Sequence, residues 1–134
     1  MDEVVDHKAR VAEYLARFGT ERNLSLPPLT DEGVGSVRRG TAVVSIHVLA
    51  EQHVLLLLSK VAEAPELDAA RSKRLLEASF LETNDAAFAL HPQTGDLYLR
   101  ILRGLDHLDY EEFEDTLHSI AKTADAWDEK FKQI

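Results

Sequence analysis

Between Thr41 and Ala62 the chain is apolar at most positions, and this run limits the fold more than any other feature. Folded back across a two-residue turn at Glu51-Gln52, Thr41–Ala50 and His53–Ala62 make a hairpin whose cross-strand pairs follow from the register. One face then carries Ala42, Val44, Ile46, Val48, Leu55, Leu57, Ser59 and Val61. The other carries Val43, Ser45, His47, Leu49, Val54, Leu56, Leu58 and Lys60. A small antiparallel sheet ordinarily buries one face and wets the other, so the second face should be polar. Here it remains rich in Val and Leu. A cover is therefore required: the chain's own helices, a second copy, or a client polypeptide.

The other segments arrange themselves around this hairpin. Val4, Val11, Leu15 and Phe18 recur at helical spacing, widened by Val5, Ala12 and Tyr14, and Gly19 is the expected stop. Pro27 and Pro28 forbid helix in the segment that follows. A first strand is expected over Val34–Arg38, turning at Arg39-Gly40, where Gly40 can take a positive φ. After Pro65 the pattern predicts a helix from about Glu66 to Glu82 with two apolar edges, Leu67/Leu75/Ala78 and Leu76/Phe80/Ala69. Ala86–Leu90 and Asp96–Leu102 form a second hairpin across His91–Gly95. Asp109 caps a last helix, with Glu112 placed for a capping box. Tyr110, Phe113, Leu117, Ile120, Ala124, Trp127 and Phe131 form its apolar seam, read as core. The class is α+β, in the order α-β-β-β-α-β-β-α, as a single domain over residues 1–134.

Charge and motifs narrow the function. A net charge of −9 argues against nucleic acid and anionic membranes as partners. The basic clusters Arg38-Arg39 and Arg71, Lys73, Arg74 read as a solvated turn and a solvated helix face. The longest apolar run, Val54–Leu58, is far too short for a membrane span, and the charged N-terminus lacks a signal-peptide core, so a cytoplasmic protein is expected. With no cysteine there is no disulfide, thiol nucleophile or Cys-based zinc site. The six histidines form no HxxxH or HExxH pair. His47 and His53 could approach each other, but spacing offers no third ligand, so surface or partner-facing roles are expected and no metal. The acids from Glu111 to Asp115 sit at a helix start, where the macrodipole accounts for them. Neither a phosphate-binding Gly-rich loop nor a G-x-S-x-G elbow is present, and the chain reads as non-enzymatic and free of cofactors.

Several stretches together carry a resemblance: Leu24-Ser25-Leu26-Pro27-Pro28-Leu29, Leu75-Leu76-Glu77-Ala78, Leu90 with His91-Pro92-Gln93-Thr94-Gly95-Asp96-Leu97-Tyr98-Leu99, Leu105 with Leu108-Asp109, and Ala124-Asp125-Ala126-Trp127. In this order the chain resembles the class I chaperones of bacterial type III secretion, the family of the Tir chaperone. The resemblance implies a cytoplasmic homodimer that binds the N-terminal segment of a secreted effector without ATP and keeps it secretion-competent. On that basis Val43, His47, Leu49, Val54, Leu56 and Leu58 are the expected client contacts, and Ala69, Leu76 and Phe80 the expected dimer contacts. A family member would often carry Asn where this chain has Ser79, which is followed by Phe80. The alternative is a regulatory protein-interaction module of the same fold, like the YbjN group, with no role in secretion.

Overall fold

The computed structural model describes residues 6–134, so Val4 and Val5 of the predicted first helix lie outside them. Among the described residues the elements are α1 (His7–Glu21), β1 (Val34–Arg39), β2 (Ala42–Leu49), β3 (Val54–Ala62), α2 (Ala69–Leu81), β4 (Ala87–Leu90), β5 (Leu97–Gly104) and α3 (Tyr110–Lys132). The strands form one antiparallel sheet in the order β1-β2-β3-β5-β4. The expected hairpin register is the observed one: Ser45 faces Leu58, His47 faces Leu56 and Leu49 faces Val54. The turn is longer than two residues. Pairing stops at Leu49 and Val54, and the connecting residues end on His53, which takes a φ of 57°.

Helix α3 is the backbone of the core. Its Asp109 cap accepts from the Glu112 N–H at 2.8 Å. The Glu112 carboxylate turns instead to Arg103, 3.8 Å away, so only half of the capping box closes. Every residue of the seam from Tyr110 to Phe131 is buried against one face of the sheet, with Val44, Ile46, Leu55, Leu57, Leu99 and Ile101 below it. Helix α1 joins that layer through Val11, Leu15 and Phe18, and Tyr14 donates to the Leu108 carbonyl at 3.1 Å. At the β1–β2 turn, Asp125 of α3 accepts from the N–H and the hydroxyl of Thr41 at 3.0 and 3.1 Å. Gly40 is needed there twice over: its φ is 56°, and a Cβ would strike the Asp125 carboxylate.

Three local expectations need correction. Helix α1 does not stop at Gly19; it runs to Glu21, and Asn23 takes the left-handed conformation beyond it at φ 56°. Gly19 is instead a contact residue, since a Cβ there would lie 3.2 Å from the Leu24 carbonyl oxygen and the Leu26 side chain. Helix α2 starts at Ala69 rather than near Glu66, because the Asp68 carboxylate caps it by accepting from the Arg71 N–H at 2.8 Å. The α2 arginines are not simply solvated. Arg71 donates to the carbonyls of Glu66 and Ile134, and Arg74 makes two bonds to Glu82 at 2.9 and 3.0 Å while lying over Trp127. Ser79 ties α2 to the edge strand: its hydroxyl donates to the Leu75 carbonyl and accepts from the Phe88 N–H at 3.0 Å.

Candidate functional site

Alternation along β2, β3 and β5 leaves the second face of the sheet turned away from α1 and α3. Cross-strand rows define it: Val34, His47, Leu56 and Leu102 in one, Ser36, Ser45, Leu58 and Arg100 in the next, and Leu49 beside Val54 at the turn end. Val43, Leu49 and Leu102 are 42%, 37% and 44% exposed, while Val54, Leu56, Leu58 and His47 are half-buried by their neighbours on the sheet. All six residues expected to contact a client thus share one open, largely apolar surface. Sequence reasoning missed the contribution of β5, namely Tyr98, Arg100 and Leu102. The signal was present in the alternation of these residues with buried Leu97, Leu99 and Ile101.

The charges on this face run against the rest of the molecule. Its ionised side chains in β1, β2, β3 and β5 are Arg38, Lys60 and Arg100, in a chain of net charge −9. Lys60 is paired with Asp96 at 3.3 Å, whereas Arg38 and Arg100 have no ion-pair partner among the described residues. His47 sits among the apolar rows with Nε2 3.0 Å from the Ser45 hydroxyl. Burial holds its pKa below the ordinary histidine value, so it is neutral at neutral pH.

A second apolar surface lies on α2 and the β4 edge. Leu76 and Phe80 are 74% and 89% exposed, and Ala69 is exposed on the same helix. Leu81 and Leu90, which sequence reasoning did not single out, are exposed beside them. Between α2 and β4 runs a groove of about 200 Å³ lined by Leu67, Leu75, Leu76, Phe88, Leu90 and Leu97.

The histidines divide by place. His118 contacts Arg39 at 2.9 Å, and His91 accepts from the Gln93 and Thr94 N–H groups in the β4–β5 loop. His53 does not pair with His47; it meets Asp106 and His7 at the far side of the β2–β3 turn. No described helix is long and apolar enough to cross a membrane.

Comparison with known proteins fits this arrangement. No curated protein matches the chain. Among solved structures, the ExsC–ExsE complex contains a chain 26% identical, with a TM-score of 0.75, covering 93% of this chain and 96% of that one. The HopA1–SchA chaperone–effector complex aligns with a TM-score of 0.73 at 14% identity over 95% and 99% of the two chains, a likeness of fold. YbjN from E. coli shares the fold more loosely, with a TM-score of 0.52 at 9% identity over 87% of each chain. The model of the Tir chaperone protein (CesT) family matches residues 13–128, from within the first helix to just past Trp127 of α3. Since that match takes in the sheet, its helical cover and both apolar surfaces, the chain belongs to the Tir chaperone protein (CesT) family.

Proposed function

We propose that this protein is a cytoplasmic, homodimeric chaperone that works without ATP and holds the N-terminal segment of a secreted effector in an extended, secretion-competent form. The observation that carries this reading is the open sheet face, where Val43, His47, Leu49, Val54, Leu56 and Leu58 stand together with nothing from the described helices above them. Membership of the Tir chaperone protein (CesT) family supports it, as does the likeness of fold to a chain of the HopA1–SchA chaperone–effector complex. A rigid apolar surface binds an extended segment by taking its alternate side chains, and it needs no catalytic group or nucleotide for that. Covering a half-buried Val or Leu contributes on the order of 1 kcal/mol, so several such contacts are needed for useful affinity. Arg38 and Arg100, unpaired among the described residues, favour a segment that mixes apolar and acidic residues. The exposed α2 surface of Ala69, Leu76 and Phe80 is the part a second copy covers, next to the β4 edge.

The test is capture of the partner from the native host, followed by proteolysis of the complex. The expected product is a short N-terminal stretch of a secreted protein, protected while bound and cleaved when free. A partner retained only through an intact folded domain would overturn the reading in favour of a regulatory module.

A further inference from the structure

His7, the first residue of α1, is 7% exposed, and the proposed client site does not use it. Its Nδ1 is buried without a hydrogen-bond partner among the described residues. Its Nε2 lies 3.7 Å from Asp106 Oδ1, beyond hydrogen-bond reach. Sealing a polar ring from water without a partner is costly, so a buried His with no bond asks for an explanation.

Two further donors converge on it from distant parts of the chain. His53 comes from the β2–β3 turn and places Nδ1 3.2 Å from Asp106 Oδ1; Asp106 comes from the connection between β5 and α3. The His7 and His53 rings meet edge to face at 5.4 Å. One ligand atom from each of the three residues lies within 4.8 Å of the other two. Ligands at zinc bonding distance in a tetrahedron stand about 3.3 Å apart, so the 3.2 and 3.7 Å edges already approach that geometry. A His53–Asp106 ion pair alone would explain two of these residues. It would leave unexplained why the third is a buried imidazole whose Nε2, the nitrogen turned toward Asp106, makes no hydrogen bond among the described residues.

We propose that His7, His53 and Asp106 bind a zinc ion, with its remaining position open to water through the exposed His53 and Asp106. Two imidazoles and a carboxylate suit zinc; magnesium and calcium prefer all-oxygen sites. The ion would pin the N-terminal end of α1 and the β5–α3 connection to the turn that follows Leu49, at one end of the open face. The inference does not depend on the chaperone reading.

Untagged protein, stripped with chelator, is titrated with zinc chloride by calorimetry and by thermal unfolding. The expected result is one saturable site per chain and a zinc-dependent rise in Tm that chelator reverses, with no response to magnesium or calcium. His53→Ala and Asp106→Asn alter exposed side chains, so their circular dichroism should match the parent while zinc affinity falls at least tenfold. His107→Ala, beside the site, should bind as the parent does. Absence of saturable binding, or unchanged affinity in His53→Ala, would overturn the proposal, the latter by assigning the ion to other histidines.

Discussion

The two faces of one sheet carry much the same hydrophobic residue types and meet opposite fates. On β2, Val44, Ile46 and Val48 are sealed under the helices, while Val43, His47 and Leu49 between them are half-buried or open. On β3, Leu55 and Leu57 are at most 1% exposed, and their neighbours Val54, Leu56 and Leu58 are only half-buried. Hydrophobicity alone does not choose between the faces; the polar residues do. In its middle the covered face holds one hydroxyl, Ser59, which donates to the Val43 carbonyl at 3.0 Å; its charged residues, Arg39 and Arg103, stand at strand ends, where Arg39 meets His118 and Arg103 meets Asp85 and Glu112. The open face holds the cations Arg38, Lys60 and Arg100, with neutral His47 among its apolar rows. Laying α3 over those cations would strip their water without a partner, at several kcal/mol apiece. So the helices take the face they can dry, and the greasy remainder stays available. Open apolar area is here a by-product of a few well-placed charges.

Substitutions at adjacent positions can break this contrast. The largest effect is expected on the covered face: Leu57→Ala should cost about 2–5 kcal/mol in urea denaturation, since the site is closed on all sides. Leu56→Ala, one residue away, should cost about 1 kcal/mol or less. Leu56→Asp should lose client binding in a pull-down yet keep a folded circular-dichroism spectrum; loss of that spectrum would put Leu56 in the core. Next comes α2, whose exposed Leu76 and Phe80 contrast with buried Leu75 and Ala78 one or two residues away. Leu76→Arg combined with Phe80→Arg should weaken self-association by about 100-fold in sedimentation experiments without lowering monomer stability. An unchanged dimer would remove α2 from the interface.

The smallest effect expected is the pH response of the open face. Burial lowers the pKa of His47 below its unfolded value near 6.5, so the folded chain binds fewer protons there. Stability from this group is present above about pH 6.5 and is lost as pH falls through the lowered folded value. A client that covers His47 should deepen the shift, so binding weakens in the same direction by a factor of about three to ten between pH 7 and 5. His47→Gln should flatten that dependence. Identical pH profiles for parent and variant would show that a client leaves His47 uncovered.

Much of this was legible in the chain. The hairpin register follows from period-two alternation, because a slip by one residue would send Leu55 and Leu57 to the face of the cations. The α3 seam was legible because seven apolar residues at helical spacing leave one way to lie on a sheet. Less legible were boundaries set by contacts across the fold. Gly19 signals a stop locally, yet the returning Leu24–Leu26 segment needs its small size inside the helix. The β5 share of the open face depends on β5 entering between β3 and β4, which no local pattern announces. His7, His53 and Asp106 are separated by dozens of residues and form no motif.

The sequence by itself determined the element order and the partition of each strand into two faces, since periodicity acts residue by residue; which face the helices dry was settled by the fold. Tertiary structure alone decided which distant groups meet: Asp125 at the Gly40 turn, Ser79 on the β4 edge, and two histidines with one aspartate below the β2–β3 turn. Those meetings depend on where rigid helices come to rest on a twisted sheet, and packing shape, unlike periodicity, belongs to no single stretch of chain.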